Sequence, residues 1–387
     1  MVVYLDYAAG APLRPEAREA WLRAQSMPGN ASAVHTAGQA ARRVLEESRE
    51  RLAAVLGCGA IEVVFTSGGT EAVNLAVKGL WEARAAERDE IVLPDGEHHA
   101  TIDTVAWLAR RRAARVRPVA LDALGRILPG PFGHALPGAA LATAIVANNE
   151  VGTVNDAGAL AAEATLAGVP LHLDAVSAFG HVPVDFAAWR ADARGGTGLV
   201  AMSVSAHKVG GPVGVGALVV SRHADPTPLL HGGGQQRALR AGTQDIAGAA
   251  AFAVAAELAV AESAAEAERL TALRERALAA IRRDIPDVVP LGDPVDRIPG
   301  NLHLHFPGAG GEAMLFLLDQ RGVAVSTGSA CQAGVPEPSH VVQALGYDDR
   351  AARQVLRVSL GRTSTLDDVD ALTAALPEAV ARARAAR

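Results

Sequence analysis

The residue of greatest chemical interest in this sequence is a lysine, because lysine is almost absent. Of 36 basic residues only Lys78 and Lys208 are lysines, and the other 34 are arginine. An amine condenses with a carbonyl group to give an imine, which a guanidinium does not usefully do. Lys78 precedes Gly79 at the end of an apolar helical pattern, where any cation is favourable. Lys208 has no such explanation and is therefore a candidate for carbonyl chemistry.

A glycine-rich turn could hold a phosphate group. Ser67-Gly68-Gly69-Thr70 follows an apolar run, Val63 to Thr66, and opens a predicted helix. Glycines let a phosphate approach the backbone, and the free amides of a helix N-terminus bind it. An ordinary glycine turn has the same pattern, so the motif alone leaves both readings open. It is not a Walker loop, because no Gly-Lys-Ser/Thr follows.

Further polar residues follow predicted strands. Asp174 ends Leu171 to Leu173, where a buried carboxylate needs a partner, such as a pyridinium nitrogen. A helix N-cap role would explain Asp174 equally well. Lys208 comes shortly after Val200 to Val204. Two other runs are followed in the same way. His98 comes after Ile91 to Leu93, and Asn149 comes after Leu141 to Ala147.

The elements that must position these residues indicate an α/β fold. Several of the apolar runs are continuous, which is typical of parallel strands covered on both faces by helices. In such sheets ligands bind at the carboxyl ends of the strands, where the polar residues above all lie. We predict a large domain with a mainly parallel central sheet over residues 14–255. A smaller α+β domain is predicted from residues 1–13 and 256–387.

The smaller domain is predicted from a long helical region and three strands. The helix covers about Asp245 to Arg283. Asn301 to Phe306 alternates between polar and apolar residues, which predicts a half-buried strand with His303 and His305 exposed. The other two predicted strands are Val323 to Ser326 and Val355 to Ser359.

Composition excludes several functional classes. The net charge of −6 argues against a dedicated nucleic-acid binder. A basic run between Arg110 and Arg117 is predicted to be the solvated end of a helix. No secretory signal pattern and no apolar run of about 18 residues occurs, so we expect a cytoplasmic protein with no membrane partner. Cys58 and Cys331 form no CxxC pair, so we predict free thiols and no metal site.

The motifs together resemble one family, the cysteine desulfurases of the class V aminotransferases, which are fold type I pyridoxal-phosphate enzymes. The resemblance runs nearly end to end, with matching order and spacing. Its segments include Tyr4 to Ala8, Asn30 to His35, Phe65 to Glu71, Glu97-His98, Asn148 to Gly152, His172 to Ala175, Ser205 to Lys208, His231 to Gly234, Arg240 to Thr243, Ser329 to Cys331 and Arg357 to Arg362.

The resemblance implies a role for each matching cofactor residue. Lys208 would anchor pyridoxal 5′-phosphate and move protons, His98 would stack on the ring, and Asp174 would pair with the ring nitrogen. The phosphate would be held by Gly69 and Thr70 of the glycine-rich turn, by Ser205 and His207, and by Thr243 from the neighbouring subunit of a homodimer.

The substrate residues follow from the same resemblance. Arg357 and Asn149 would hold the substrate carboxylate or the ring oxygen, since a bidentate arginine suits a carboxylate, and Asn30 would also bind substrate. Cys331 would be the nucleophile, in a segment predicted to form a mobile loop. Its thiolate would take the sulfur of L-cysteine, leaving L-alanine and a persulfide that passes to an acceptor protein. A structural cysteine in a turn is the alternative.

One position departs from the family pattern. Three residues after Asp174 the family usually has glutamine, which is expected to hydrogen-bond the ring oxygen, and this chain has Ser177. A hydroxyl is shorter than a carboxamide, so a water molecule would be needed to complete the contact. The departure therefore bears on how the imine is tuned and on rate more than on cofactor binding.

Other functions fit less well. Gly308 to Ala313 loosely matches a dinucleotide fingerprint, but no acidic residue ends the next strand. His231 to Gly234 is similar to a hydrolase oxyanion loop, yet no Gly-x-Ser-x-Gly occurs. The alternatives that stay open are a selenocysteine lyase, another β-lyase, an aminotransferase or a non-catalytic scaffold. The sulfur acceptor also stays open among iron-sulfur assembly, tRNA thiolation, cofactor biosynthesis and DNA phosphorothioation.

Overall fold

The computed structural model describes residues 2–328 and 337–386. Its strands are β1 (Val3–Tyr4), β2 (Val63–Thr66), β3 (Glu90–Pro94), β4 (Arg115–Val119), β5 (Leu141–Ile145), β6 (Pro170–Asp174), β7 (Gly198–Ser205), β8 (Gly216–Val220), β9 (Val289–Leu291), β10 (Asn301–His305), β11 (Val323–Ala324) and β12 (Val355–Ser359). Its helices are α1 (Pro15–Gln25), α2 (Thr36–Leu56), α3 (Gly69–Glu82), α4 (His99–Arg112), α5 (Pro129–Ala135), α6 (Ala157–Ala167), α7 (Phe186–Arg190), α8 (Ile246–Asp284), α9 (Gly311–Asp319), α10 (His340–Ala344), α11 (Asp349–Ala352) and α12 (Leu366–Ala385).

A seven-stranded sheet forms the centre of the molecule. Its strand order is β2-β8-β7-β6-β5-β3-β4. Only β8 runs antiparallel to its neighbours, so the predicted mainly parallel α/β sheet is confirmed. Every residue of β5, β7 and β8 is buried, because helices cover both faces of the sheet and leave no strand face in water.

The basic run divides between two elements, which corrects the prediction made for it. Arg110 to Arg112 form the end of helix α4, as predicted, but Arg115 and Arg117 belong to the edge strand β4. Arg115 forms an ion pair with Asp89, the residue just before β3, and Arg117 forms one with Glu90, the first residue of β3. Alternating charged and apolar residues are tolerated here because an edge strand is exposed along one side.

Helix α8 spans 39 residues and joins two hydrophobic cores. Its first half packs into the core of the large sheet through residues such as Phe252 and Ala256. Its second half packs into a separate core through Leu270 and Ile281. The helix is long and apolar enough to cross a membrane by length and composition alone, yet 56% of its most apolar window is buried. It continues unbroken through residue 255, where we placed the domain boundary, and that boundary stays a prediction.

The second core lies beneath a three-stranded antiparallel sheet of order β12-β10-β9. The prediction that His303 and His305 are exposed is wrong, because they are 0% and 8% exposed. Leu302 and Leu304 face the core. The opposite face of β10 is covered by the large domain, where Asn301 donates to the carbonyl of Glu150 at 3.2 Å.

Candidate active site

A cavity of about 390 Å³ lies where several strands of the large sheet end. The structure brings together there nine of the residues singled out from the sequence. These are Gly69, Thr70, His98, Asn149, Asp174, Ser177, His207, Lys208 and Arg357. Their convergence follows from the parallel strand order, which places the carboxyl ends of β3, β5, β6 and β7 at one edge.

Lys208 lies in a short 3₁₀ turn directly after β7. Its Nζ donates to the carbonyl oxygen of Ala8 and, at 3.3 Å, to that of Ala9. Burial, reinforced by the positive charge of Arg357, lowers the pKa of Lys208 to about 8. An amine with such a pKa is partly neutral near pH 8 and is a better nucleophile toward a carbonyl than a solvated lysine.

Asp174 is the last residue of β6 and is 3% exposed. Its Oδ1 accepts a hydrogen bond from the backbone N–H of Val176 at 2.9 Å. Burial raises the pKa of Asp174 to about 6, while the backbone bond and the charge of Lys208 oppose that rise. The buried carboxylate forms no ion pair with a side chain of the described residues, so a cationic ligand group would stabilise it.

The glycine-rich turn lies on the cavity wall, where α3 begins at Gly69. A Cβ added at Gly69 would lie 2.7 Å from Cγ2 of Val176, so this position requires glycine. The adjoining amides of α3 and the hydroxyl of Thr70 make this wall suitable for an anion. Ser205 does not line the cavity itself. Its Oγ lies 2.8 Å from Nδ1 of His207, and this hydrogen bond orients the histidine ring.

His98 caps the start of α4. Its Nδ1 accepts a hydrogen bond from the backbone N–H of Ala100 at 3.0 Å. The proton of the neutral ring must therefore lie on Nε2. Burial, together with the charge of Lys208, lowers the pKa of His98 to about 4, so the ring is neutral at pH 7. A neutral ring with a fixed orientation is suited to stacking on a planar ligand.

Arg357 lies in the middle of β12 and extends from the small sheet to the cavity. Its Nη1 donates to the carbonyl of Asn149 and its Nη2 to Oδ1 of Asp6, both at 2.8 Å. Nε of Arg357 and Oδ1 of Asn149 are buried and have no hydrogen-bond partner within residues 2–328 and 337–386. These two atoms offer a donor and an acceptor to a ligand.

Besides Ser205, three predicted site residues are not placed at this cavity. Asn30 and Thr243 are exposed, and neither lines the cavity of this single chain. Cys331 lies outside the described residues. Ser177 lines the cavity and also a smaller one of about 30 Å³ behind Lys208, a volume that accommodates a water molecule.

The sequence reasoning missed several groups at the site. The carbonyls of Ala8 and Ala9 hold Lys208, and backbone groups give no signal in a sequence. His340 lines the cavity, and its Nε2 lies 2.9 Å from the carbonyl oxygen of Glu97, to which it must donate. Glu97 belongs to the motif Glu97-His98, but only its neighbour was given a role.

The cavity therefore combines an amine of lowered pKa, a buried carboxylate without a cation, an anion-binding turn and a stacking ring. This set of groups fits pyridoxal phosphate: the turn suits its phosphate and Asp174 suits its ring nitrogen. The fit depends on the buried Asp174 and on the unpaired atoms of Asn149 and Arg357, which a bound ligand would satisfy.

Comparison with known proteins agrees with this arrangement. The family model described as Aminotransferase class-V matches residues 3–372. The chain is 47% identical to the IscS-like cysteine desulfurase of Mycobacterium tuberculosis (strain ATCC 25618 / H37Rv), over 100% of this chain and 98% of that protein. The chain therefore belongs to the class V aminotransferase family, in its cysteine desulfurase branch.

Solved structures support the same placement. A NifS-like protein superimposes with a TM-score of 0.90 at 28% identity, covering 99% of this chain and 100% of the other. The structure described as SspA in complex with cysteine gives a TM-score of 0.77 at 29% identity, covering 92% and 98%. The similarity extends over both domains, so the predicted fold type I architecture is confirmed.

Proposed function

We propose that this protein binds pyridoxal 5′-phosphate at the cavity and acts as a cysteine desulfurase, converting L-cysteine to L-alanine. The observation that carries the proposal is that the amine of Lys208 and the buried carboxyl of Asp174 line one cavity together with an anion-binding turn. When bound, pyridoxal phosphate supplies a carbonyl for amines and a ring that withdraws electrons. All remaining chemistry belongs to side chains of the chain.

Lys208 anchors the cofactor and transfers protons. Its lowered pKa leaves a fraction of the amine neutral at working pH, which covalent attachment requires. The carbonyls of Ala8 and Ala9 hold the amine when it is free. We infer that these carbonyls keep Lys208 close enough to take a proton from the substrate and return it.

The remaining cofactor contacts follow from position. Gly69 and Thr70, with His207 and the neighbouring Ser205, would bind the phosphate, and His98 would stack on the ring. Asp174 keeps the ring nitrogen protonated. Ser177 reaches the ring oxygen through a water molecule, for which the small cavity beside it leaves space.

The substrate is bound from the small-sheet side. Arg357, with the side-chain N–H donors of Asn149 beside it, binds the carboxylate of L-cysteine. Cysteine is also the ligand named for the related SspA structure. Asn30 and Thr243 are exposed in one chain. We propose that a homodimer brings Thr243 to the phosphate of the neighbouring cavity and Asn30 to its substrate.

Cys331 is the proposed sulfur carrier. Its thiolate attacks the sulfur of L-cysteine, the carbon–sulfur bond breaks, and a proton replaces sulfur on the carbon. The products are L-alanine and a persulfide on Cys331, so no outside oxidant or reductant is needed. The persulfide passes to an acceptor protein of iron-sulfur assembly or another thiolation pathway, and we place the reaction in the cytoplasm.

The decisive experiment compares the two cysteines. Purified protein is incubated with L-cysteine and a thiol reductant, and sulfide and alanine are measured for wild type, Cys331→Ala and Cys58→Ala. We expect equal amounts of both products from wild type and less than about 1% from Cys331→Ala. Cys58→Ala is the matched control: burial raises the pKa of Cys58 to about 12, so this thiol is inert.

Two outcomes would overturn the proposal. A silent wild type that binds the cofactor would assign Lys208 to another reaction, such as that of an aminotransferase. A Cys331→Ala variant as active as wild type would remove the persulfide step and favour a β-lyase or a selenocysteine lyase.

A further inference from the structure

Glu97 is a buried carboxyl group that the proposed chemistry does not use. It is 0% exposed and immediately precedes His98, the cap of α4. Its side chain does not line the cavity but packs behind it, and its backbone carbonyl accepts the hydrogen bond from His340. A glutamate so completely buried needs a physical explanation.

The surroundings of Glu97 place it next to Asp174. Oε1 of Glu97 accepts a hydrogen bond from the backbone N–H of Ile145 at 2.6 Å. Ile145 is paired with Asp174 in the register of β5 and β6. Two buried carboxyl groups therefore flank the same residue of the sheet.

Neither carboxyl has a cation in direct contact. No ion pair within residues 2–328 and 337–386 includes Glu97 or Asp174. Oε2 of Glu97 is buried without a hydrogen-bond partner in the described part of the chain, and so is the hydroxyl of Thr101. Two adjacent carboxyl groups in the interior cannot both ionise at low cost, so one of them keeps a proton.

The two environments decide which group holds the proton. Burial, and then the charge of Asp174, raises the pKa of Glu97 to about 8. Asp174 has the charge of Lys208 and the N–H of Val176 to stabilise its anion, and its pKa rises only to about 6. Near pH 7 the negative charge belongs to Asp174.

We propose that Glu97 is a neutral positioning residue, a protonated acid that donates from Oε2 to the hydroxyl of Thr101 and reserves the negative charge of the pair for Asp174. The inference rests on the proposed function only in making Asp174 the partner of the cofactor ring. The Thr101 hydroxyl could also donate to an ionised Glu97, and this lowers the pKa of Glu97, but burial and the charge of Asp174 outweigh it. The acid therefore keeps its proton and donates to that hydroxyl.

Other titratable groups surround the pair without duplicating this role. His98 and His99 lie beside Glu97 on α4, His340 bonds its carbonyl, and His172 precedes Asp174 on β6. His172 is neutral, because burial lowers its pKa to about 3, and its ring bonds Thr143 and Ser203. Lys208 also titrates near pH 8, but an amine gives no carboxylic-acid signal.

Infrared spectroscopy tests the proposal directly. We expect wild type to have a carboxylic-acid carbonyl band at about pH 7, where Asp174 is largely ionised, that is lost by about pH 9. The band should be absent from Glu97→Gln and retained in Glu62→Gln, a control at another buried glutamate. A band that persists in Glu97→Gln, or no such band in wild type, would overturn the proposal.

Cofactor binding and stability provide the functional readout. At pH 7, Glu97→Gln should bind pyridoxal phosphate within about threefold of wild type, whereas Asp174→Asn should bind at least about tenfold more weakly. The raised pKa also means that wild type loses stability as pH rises from about 5 to 8. Over that pH range the melting temperature of Glu97→Gln should therefore rise relative to the melting temperature of wild type.

These readouts separate the two proposals. Equal loss of cofactor by Glu97→Gln and Asp174→Asn would show that Glu97 carries a charge, against this inference. A wild type that binds no pyridoxal phosphate would instead defeat the proposed function, while the infrared band would still report the proton on Glu97.

Discussion

The seven-stranded and the three-stranded sheet both bury polar side chains, but these side chains differ in whether they face the cavity. In the large sheet Asp174 and Lys208 lie at or just beyond strand ends and face the open cavity. In the small sheet Asn301 and His303 lie within β10 and are enclosed against the large domain. A buried polar residue that faces the cavity can meet a ligand, and mid-strand Arg357 is one of these. A polar residue that is enclosed away from the cavity mainly affects stability.

The largest effect should come from Lys208, at the edge of the large sheet. Both Lys208→Ala and Lys208→Arg should lower activity by at least about 10⁴-fold, because a guanidinium cannot replace the amine. The visible absorbance of the bound cofactor should also change in both. Lys78→Arg is the matched control and should behave as wild type. An active Lys208→Arg would break the link between the strand edge and covalent chemistry.

An intermediate effect should come from Arg357, the small-sheet residue that reaches the cavity. We expect Arg357→Lys to raise KM for L-cysteine by about 10- to 100-fold with a smaller change in kcat, since lysine loses bidentate geometry. The control is Arg321→Lys, at a surface ion pair with Glu378. An unchanged KM would mean that Arg357 serves only to join Asp6 and the Asn149 carbonyl.

The smallest effect should come from His303, which is enclosed inside the small sheet. Burial, followed by the charge of Arg357, lowers its pKa to about 3. The native protein therefore binds fewer protons here than the unfolded chain, and stability is lost as pH falls from about 6.5 toward 3. His303→Gln should reduce that loss by up to about 1.4 kcal/mol per pH unit, measured by denaturant unfolding.

Exposed His134 provides the control for this measurement, because His134→Gln makes the same substitution at the surface. Activity at pH 7 should be nearly that of wild type in both variants. A large loss of activity in His303→Gln would contradict the division between residues that face the cavity and residues that are enclosed away from it.

The same contrast explains how much could be predicted from the sequence. Lys208 and Asp174 were predictable because each follows a short run of mainly apolar residues, and parallel strands bring such ends together. The burial of His303 was not predictable. Alternation in β10 indicates that the strand has a polar face and an apolar face, but it does not indicate whether another domain covers the polar face. Glu97 was missed because its significance depends on Asp174, which is far from it in sequence and adjacent only across β5 and β6.

Helix α8 has a mechanical consequence. At about 1.5 Å per residue its 39 residues form a continuous rod roughly 58 Å long. One half is embedded in the first core and the other half in the second. Local unfolding of either core would disturb α8 and, through this helix, the side-chain packing of the other core. We therefore expect heat to melt the chain in one cooperative transition, although α8 packs into two separate cores.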